Sequence, residues 1–196
     1  MKSLILASAR LALGWLCLGS VLDARCDPSN PSAFNLIKEG NRYVGEQCKD
    51  KVVQIRSEKS VGSLNPLEWY VVYYDPTATF KASEVKFGGG KMMDVKRPMR
   101  LIEAVAGADS VFDLDSLKVD SDAALALALK EPLLAPLTLR VTQFWLQHGK
   151  EGPVWKIRIW AAKLARPGDN ADIGDLYISA KDGSTVKNDL HIDSVN

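Results

Sequence analysis

The hydrophobic and polar positions of this chain divide it into two halves, each with one helical pattern followed by four strand patterns. In the first half, Asn30-Pro31 is a helix-start signal, and the apolar stripe after it predicts a helix over residues 31–48. Period-two alternation and the turn residues between runs predict four strands after that helix, at residues 52–57, 68–75, 79–87 and 91–96.

The second half has the same order of patterns. A short helix rich in alanine and leucine is predicted over residues 122–130, with Asp120 or Ser121 as its cap and Pro132 after its end. Strands are predicted after it at residues 137–146, 154–163, 173–179 and 185–190.

This matching order indicates an internal duplication. Trp69 and Trp155 each open the central apolar strand of their half, at a similar distance from the start of the preceding helix. Each repeat is expected to be an α+β unit with a cystatin-like arrangement, in which one helix packs on an antiparallel sheet. The predicted organisation is a first repeat over residues 27–97, a linker over 98–117 and a second repeat over 118–196.

The alternation also assigns the faces of the two tryptophan strands. The core face is expected to hold six residues, namely Trp69, Val71, Tyr73, Trp155, Ile157 and Ile159. The opposite face of the second strand carries the charged residues Lys156 and Arg158, whereas that of the first carries Tyr70, Val72 and Tyr74. The apolar back of the first sheet is therefore expected to be covered, and packing against the other repeat is the simplest cover.

The first residues have the pattern of a secretory signal peptide. Lys2 and Arg10 precede an uncharged apolar run over residues 11–22, so a signal peptide of approximately residues 1–25 and export to the periplasm or the extracellular space are expected. The run is shorter than the roughly 20 residues of a spanning helix, so no membrane span is expected in the mature chain. Arg25 disfavours lipidation of Cys26, and Cys48 is expected to be a buried free thiol.

The balance of charged residues limits the classes of partner that are expected. The chain has 25 Lys and Arg residues against 24 Asp and Glu residues, which gives none of the basic excess that binding to a phosphate backbone requires. No nucleic-acid partner is therefore expected. The hydrophobic content of 46% is sufficient for a packed core.

Some residues have the spacing of catalytic or metal-binding motifs but lack the geometry or the ligands that those motifs need. Ser83 and Lys86 have the S-x-x-K spacing, but a strand would put their side chains on opposite faces. The acidic stretch over residues 169–175 resembles a calcium loop, yet Ala171 and Ile173 stand where ligands belong. His148 and His191 have no cysteine partners at zinc-ligand spacing. We therefore expect no catalytic residue, metal or cofactor, although calcium binding at residues 169–175 stays open.

Residues 121–189 resemble the PepSY domain family. The resemblance lies in the last hairpin, where Leu176, Tyr177, Ile178, Asp182, Gly183 and Val186 stand at matching positions. The first repeat is similar but more diverged. Membership in this family implies a cystatin-like fold, here as a tandem pair, and a role in the modulation or inhibition of peptidases.

The resulting hypothesis is an exported, non-enzymatic binding module whose partner is a protein or peptide, with a peptidase or another envelope protein as the candidates. Tyr70, Tyr74 and Trp160 are its candidate binding residues, because tyrosine and tryptophan are favoured at binding hot spots. The alternative is a small-ligand-binding protein or enzyme on a cystatin-like or NTF2-like cone, with a pocket lined by Trp69 and Trp155.

Overall fold

A computed structural model describes residues 31–98 and 108–195, which form an α+β fold. The first half contains helix α1 (Ala33–Gly40) and strands β1 (Val52–Ser57), β2 (Glu68–Tyr74), β3 (Ala82–Gly88) and β4 (Lys91–Lys96). The second half contains helix α2 (Ser121–Ala128) and strands β5 (Leu139–Gly149), β6 (Gly152–Ala162), β7 (Asn170–Ser179) and β8 (Thr185–Leu190). The predicted signal peptide, Cys26 and part of the predicted linker lie outside the described residues.

All eight strands belong to one antiparallel sheet, in the order β4-β3-β2-β1-β5-β6-β7-β8. Each half contributes four consecutive strands, and the first strands of the two halves pair at the centre, where Ile55 lies opposite Leu146 and Arg56 opposite Trp145. The two halves therefore meet side by side within a single sheet. The expectation that the apolar back of β2 packs against the other repeat is wrong, because this edge-to-edge pairing leaves the backs of both halves on the same side.

Both helices lie on one face of the sheet, over the main core. The six residues predicted for the core face of the two tryptophan strands are all buried there, which confirms the alternation. The rings of Phe34, Trp69 and Phe144 surround Trp155, with ring centroids between 6.2 and 6.5 Å from that of Trp155. Aromatic residues from α1, β2, β5 and β6 thus form one core shared by the two halves.

The N-termini of the two helices share one carboxylate. Asp120 caps α2 by accepting the Ser121 N–H at 2.6 Å, and the same side chain accepts the Phe34 N–H of α1 at 3.1 Å. Next to it, the Ser121 hydroxyl accepts the Ala33 N–H at 3.0 Å. Since the first N–H groups of a helix have no partner inside the helix, residues of the second half cap the helix of the first.

Helix α1 ends at Gly40, eight residues before the predicted end at Cys48. The tyrosine of the neighbouring strand explains this end, because the Tyr73 hydroxyl donates to the Ile37 carbonyl at 2.9 Å and lies against the Cα of Gly40. A Cβ at residue 40 would stand 2.2 Å from that hydroxyl oxygen, so only glycine fits there, and glycine weakens helix propagation. Cys48 is nevertheless a buried free thiol in the core, as predicted.

Serine hydroxyls replace part of the ladder between β1 and β5. Beyond Arg56 the first strand diverges, and the Ser57 hydroxyl accepts the Phe144 N–H at 2.9 Å. The Ser60 hydroxyl accepts the Thr142 N–H at 2.9 Å, while the Ser60 N–H donates to the Thr142 carbonyl at 2.8 Å. These bonds satisfy buried backbone groups of β5 that the strand pairing leaves without partners.

The variant Ser60→Ala is expected to lower the free energy of unfolding by about 1 to 3 kcal/mol, because it leaves the buried Thr142 N–H without an acceptor. Urea denaturation measures this. Ser63→Ala is the matched control in the same loop, since the Ser63 hydroxyl makes only exposed contacts with Asn65, and it should change stability little. Equal effects of the two substitutions would show that the Ser60 hydroxyl is not a necessary partner.

Candidate functional site

The face of the sheet opposite the helices carries a layer of long polar and aromatic side chains. Strand register places one residue from each of seven adjacent strands in a line across this face. In strand order from β3 to β8, these residues are Lys86, Tyr70, Arg56, Trp145, Lys156, Tyr177 and Lys187. Cations and aromatic rings alternate at every step, and we refer to these seven residues as the cation–aromatic row.

Side chains of the row make cation–π contacts within three groups of neighbouring strands. The Arg56 guanidinium carbon lies 3.8 Å from the centroid of the Tyr70 ring, with the Lys86 ammonium nitrogen 5.5 Å away on the same ring. Lys156 lies 5.3 Å from the Trp145 centroid. At the end of the row, Lys187 and Tyr177 are 5.4 Å apart. Each distance is within the range of a cation–π contact, so the row consists of three contact groups that lie side by side on adjacent strands.

Each cation of the row also has a carboxylate partner. Arg56 pairs with Glu84 at 2.6 Å, Lys86 with Glu68 at 2.7 Å, Lys156 with Asp175 at 3.4 Å and Lys187 with Asp189 at 2.8 Å. The hydrogen bond from Lys86 to Glu68 raises the pKa of that ammonium group. The four cations of the row are therefore each neutralised by a carboxylate.

Tyr70 is held most tightly of the aromatic residues. Its hydroxyl donates to Glu58 at 2.9 Å, and only 8% of its surface is exposed beneath Arg56 and Lys86. Burial, and then this hydrogen bond to Glu58, raise the pKa of Tyr70. The phenol therefore stays neutral, and it anchors the middle of the row on β2.

The three predicted binding residues are not brought together. Tyr70 lies in the row. Tyr74 lies four residues after Tyr70 on β2, and Trp160 lies four residues after Lys156 on β6. Because β2 and β6 run in opposite directions, Tyr74 and Trp160 lie on opposite sides of the row, each roughly 13 Å from it. Tyr74 packs against a small second cluster of Val53, Val72 and Ala82, where Val111 covers the back of β2. Trp160 is 9% exposed, with the Lys59 ammonium 4.2 Å from its ring centroid.

Sequence reasoning missed most of the row. Arg56, Tyr177 and Lys187 lie on the polar side of alternating strands, where charged and aromatic residues do not by themselves indicate a site. The signal that could have found them is the alternation of residue types across strands, which requires the pairing of β1 with β5 and the register of each ladder.

The alternative hypothesis puts a ligand pocket around Trp69 and Trp155, two residues that the structure packs into the core. Trp155 is fully buried, and its indole N–H donates to the Val119 carbonyl at 2.8 Å. The recess beside Trp69 has a volume of about 50 Å³, whereas small-molecule pockets have about 300 Å³ or more. These rings are core residues that hold the two halves together.

The side chains of Ser83 and Lys86 lie on opposite faces of the sheet, as predicted. Ser83 lies on the core side, where its hydroxyl donates to Asp75 at 2.7 Å, while Lys86 belongs to the row on the other face.

Burial and Asp75 raise the pKa of the nearby Cys48 thiol, which keeps it protonated. His148 lies elsewhere, stacked on Phe112 with its Nε2 2.8 Å from the Ser110 carbonyl.

The three aspartates of the acidic stretch over residues 169–175 each form an ion pair with a different basic residue. Asp169 pairs with Arg166, Asp172 with Arg158 and Asp175 with Lys156. Among residues 31–98 and 108–195, no three His, Cys, Asp or Glu side chains are grouped in a way that would hold a metal ion. Over the same residues, neither helix has the length and the apolar character needed to cross a bilayer.

Comparison of the chain with known protein families, with curated proteins and with solved structures finds no match. The functional proposal is therefore based on the cation–aromatic row, which the register of this sheet creates.

Proposed function

We propose that this protein is an exported, non-enzymatic binding module that docks another protein on the open face of its sheet. The observation that carries the proposal is the cation–aromatic row, which crosses seven strands on the face that neither helix covers. Tyrosine, tryptophan and arginine are the residues most enriched at the centres of protein interfaces. Here residues of these types lie at the centre of the face.

The chemistry of the face favours a protein over other partners. The four cations of the row are each paired with a carboxylate, so the row lacks the positive excess that nucleic acid requires. The Tyr70 ring is covered by cations, so a base or a sugar could not stack on that ring. Eight strands at about 4.8 Å spacing give a width of roughly 34 Å, which is enough for an interface of standard size.

We also propose that the chain is a tandem pair of PepSY-like repeats and that its partner is a peptidase. Support for the repeats comes from the order of elements, since a helix followed by four antiparallel strands occurs twice along the chain. Support for a peptidase partner comes only from the resemblance of residues 121–189 to the PepSY family. Export is supported by the charged and apolar pattern of the first 22 residues.

Site-specific photo-crosslinking tests the docking face in the cells that produce the protein. The crosslinking residue p-benzoylphenylalanine replaces Tyr177 or Trp145 in the row, and Leu129, which is 44% exposed at the end of α2, is the matched control position. Both row positions are expected to give the same protein adduct in the envelope fraction, while position 129 gives none. Mass spectrometry identifies the adduct, and a peptidase is expected.

Adducts from position 129 but not from the row would place the interface on the helix side and overturn the docking face. An adduct from the row that is not a peptidase would keep the face and contradict the peptidase assignment. Thermal unfolding of each substituted protein, compared with the unsubstituted chain, checks that the sheet is intact.

A further inference from the structure

A cleft of about 570 Å³ lies at one end of the sheet, beside the open face. Three segments enclose it, namely the loop after β1, the start of β5 and the turn between β6 and β7. Its lining includes Ser60, Val61, Leu64, Arg140, Val141 and Asn170. Val141 lies opposite Trp160 on β6, and the Trp160 ring contacts Lys59 next to the cleft. The cleft is thus continuous with the open face.

Arg140 differs from every other arginine of the described residues. Five arginines have a carboxylate within 4 Å, in the pairs Arg42–Glu39, Arg56–Glu84, Arg97–Asp75, Arg158–Asp172 and Arg166–Asp169. Arg140 is exposed at the cleft, and its guanidinium has neither an ion pair nor a hydrogen bond with any residue of 31–98 and 108–195. In a chain that pairs its other described arginines, this guanidinium is free to take an external carboxylate.

The rest of the cleft supplies an apolar contact beside that charge. Val61 is 77% exposed on the loop after β1, and Leu64 and Leu139 line the floor next to Arg140. Aliphatic side chains beside one unpaired cation are complementary to a carboxylate that is flanked by an apolar residue.

We propose that this cleft binds a carboxylate of the docked protein, with Arg140 as its ligand and an aliphatic side chain of the partner against Val61. The inference rests on the proposed function, because it names the part of a protein partner that this end of the face receives. A single guanidinium forms one bidentate pair with a carboxylate. A phosphate, with its charge of about −1.5 to −2, needs several cations around it, whereas Arg158 and Arg166 have their own aspartates and the Lys59 ammonium lies on the Trp160 ring.

The experiment is an NMR titration of the ¹⁵N-labelled protein with short peptides. One pair is N-acetyl-Leu-Val-Leu with a free C-terminal carboxylate and the same peptide as its amide. The second pair is N-acetyl-Leu-Glu-Leu amide and N-acetyl-Leu-Gln-Leu amide, which tests a side-chain carboxylate. Inorganic phosphate is the fifth probe. The expected result is a set of shift changes confined to residues 60–64, 139–141 and 167–170, with a carboxylate peptide and not with its neutral match.

Arg140→Gln is expected to weaken the binding of that peptide at least tenfold, because it removes the charge-assisted hydrogen bonds between the guanidinium and the carboxylate. Arg42→Gln, an exposed arginine on the helix side, is the matched control and should leave binding unchanged. The pair that responds shows whether the carboxylate is a C-terminus or a side chain.

Three results would overturn the proposal: equal binding of charged and neutral peptides, undiminished binding by Arg140→Gln, or tighter binding of phosphate than of any peptide. Failure here is distinguishable from failure of the docking face. The peptides report only on the cleft, whereas crosslinks from positions 145 and 177 report on the row.

Discussion

Trp155→Ala is expected to lower the free energy of unfolding by about 3 to 5 kcal/mol, the range for large-to-small substitutions in packed cores. Trp155 is fully buried between Phe34, Trp69 and Phe144, which come from both halves of the chain. The substitution removes these contacts and leaves the Val119 carbonyl without its indole donor. Chemical denaturation followed by circular dichroism measures the change.

Trp155→Phe should cost less than the alanine variant, since it keeps most of the ring contacts. Val186→Ala, at a residue of β8 that is 50% exposed, should remain within about 0.5 kcal/mol of the unsubstituted protein. A loss near 1 kcal/mol for Trp155→Ala would contradict a core that is shared between the halves.

Asp75→Ala is expected to cost about 3 kcal/mol, because a buried carboxylate with several donors is removed. Asp75 is 1% exposed, accepts the Thr77 N–H and hydroxyl and the Ser83 hydroxyl, and pairs with Arg97 at 3.1 Å. Burial alone would raise the pKa of Asp75, but the hydrogen bonds from Thr77 and Ser83 and the charge of Arg97 outweigh it. The pKa of this carboxyl is therefore held well below its usual value.

The lowered pKa of Asp75 predicts how the stability of the protein depends on pH. The folded protein binds the proton of Asp75 more weakly than the unfolded chain does, so this contribution is fully present above the unfolded pKa of about 3.9. It is lost as the pH falls below that value. Denaturation at pH 6 and pH 3 should therefore show a smaller drop in stability for Asp75→Asn than for the unsubstituted protein. Parallel drops would contradict the assigned role of Asp75.

Much of the sheet could be predicted because strand alternation is a local signal. Strands β1, β4 and β8 have the predicted bounds, and the core face of β2 and β6 is as expected. The length of α1 could not be predicted, because its end depends on the contact of Tyr73 with Gly40, two residues that are distant along the chain.

The candidate site was less predictable than the fold. Tyr70 was identified from its residue type, but the line that contains it exists only because β1 pairs with β5. Nothing local in the sequence marks that pairing, since each half could have kept a sheet of its own. A row across seven strands depends on every register between them, including the bulges in β1, β5, β7 and β8, and alternation within a strand does not determine these.

The shared helix cap has a consequence for the order in which the chain acquires its structure during synthesis. Helix α1 takes its capping groups from Asp120 and Ser121, which lie 86 and 88 residues beyond their partners along the chain. A nascent chain that ends before residue 120 has an uncapped first helix, and β1 has no strand beside it on the β5 side. The amino-terminal half therefore completes its structure only after the ribosome has added the carboxy-terminal half.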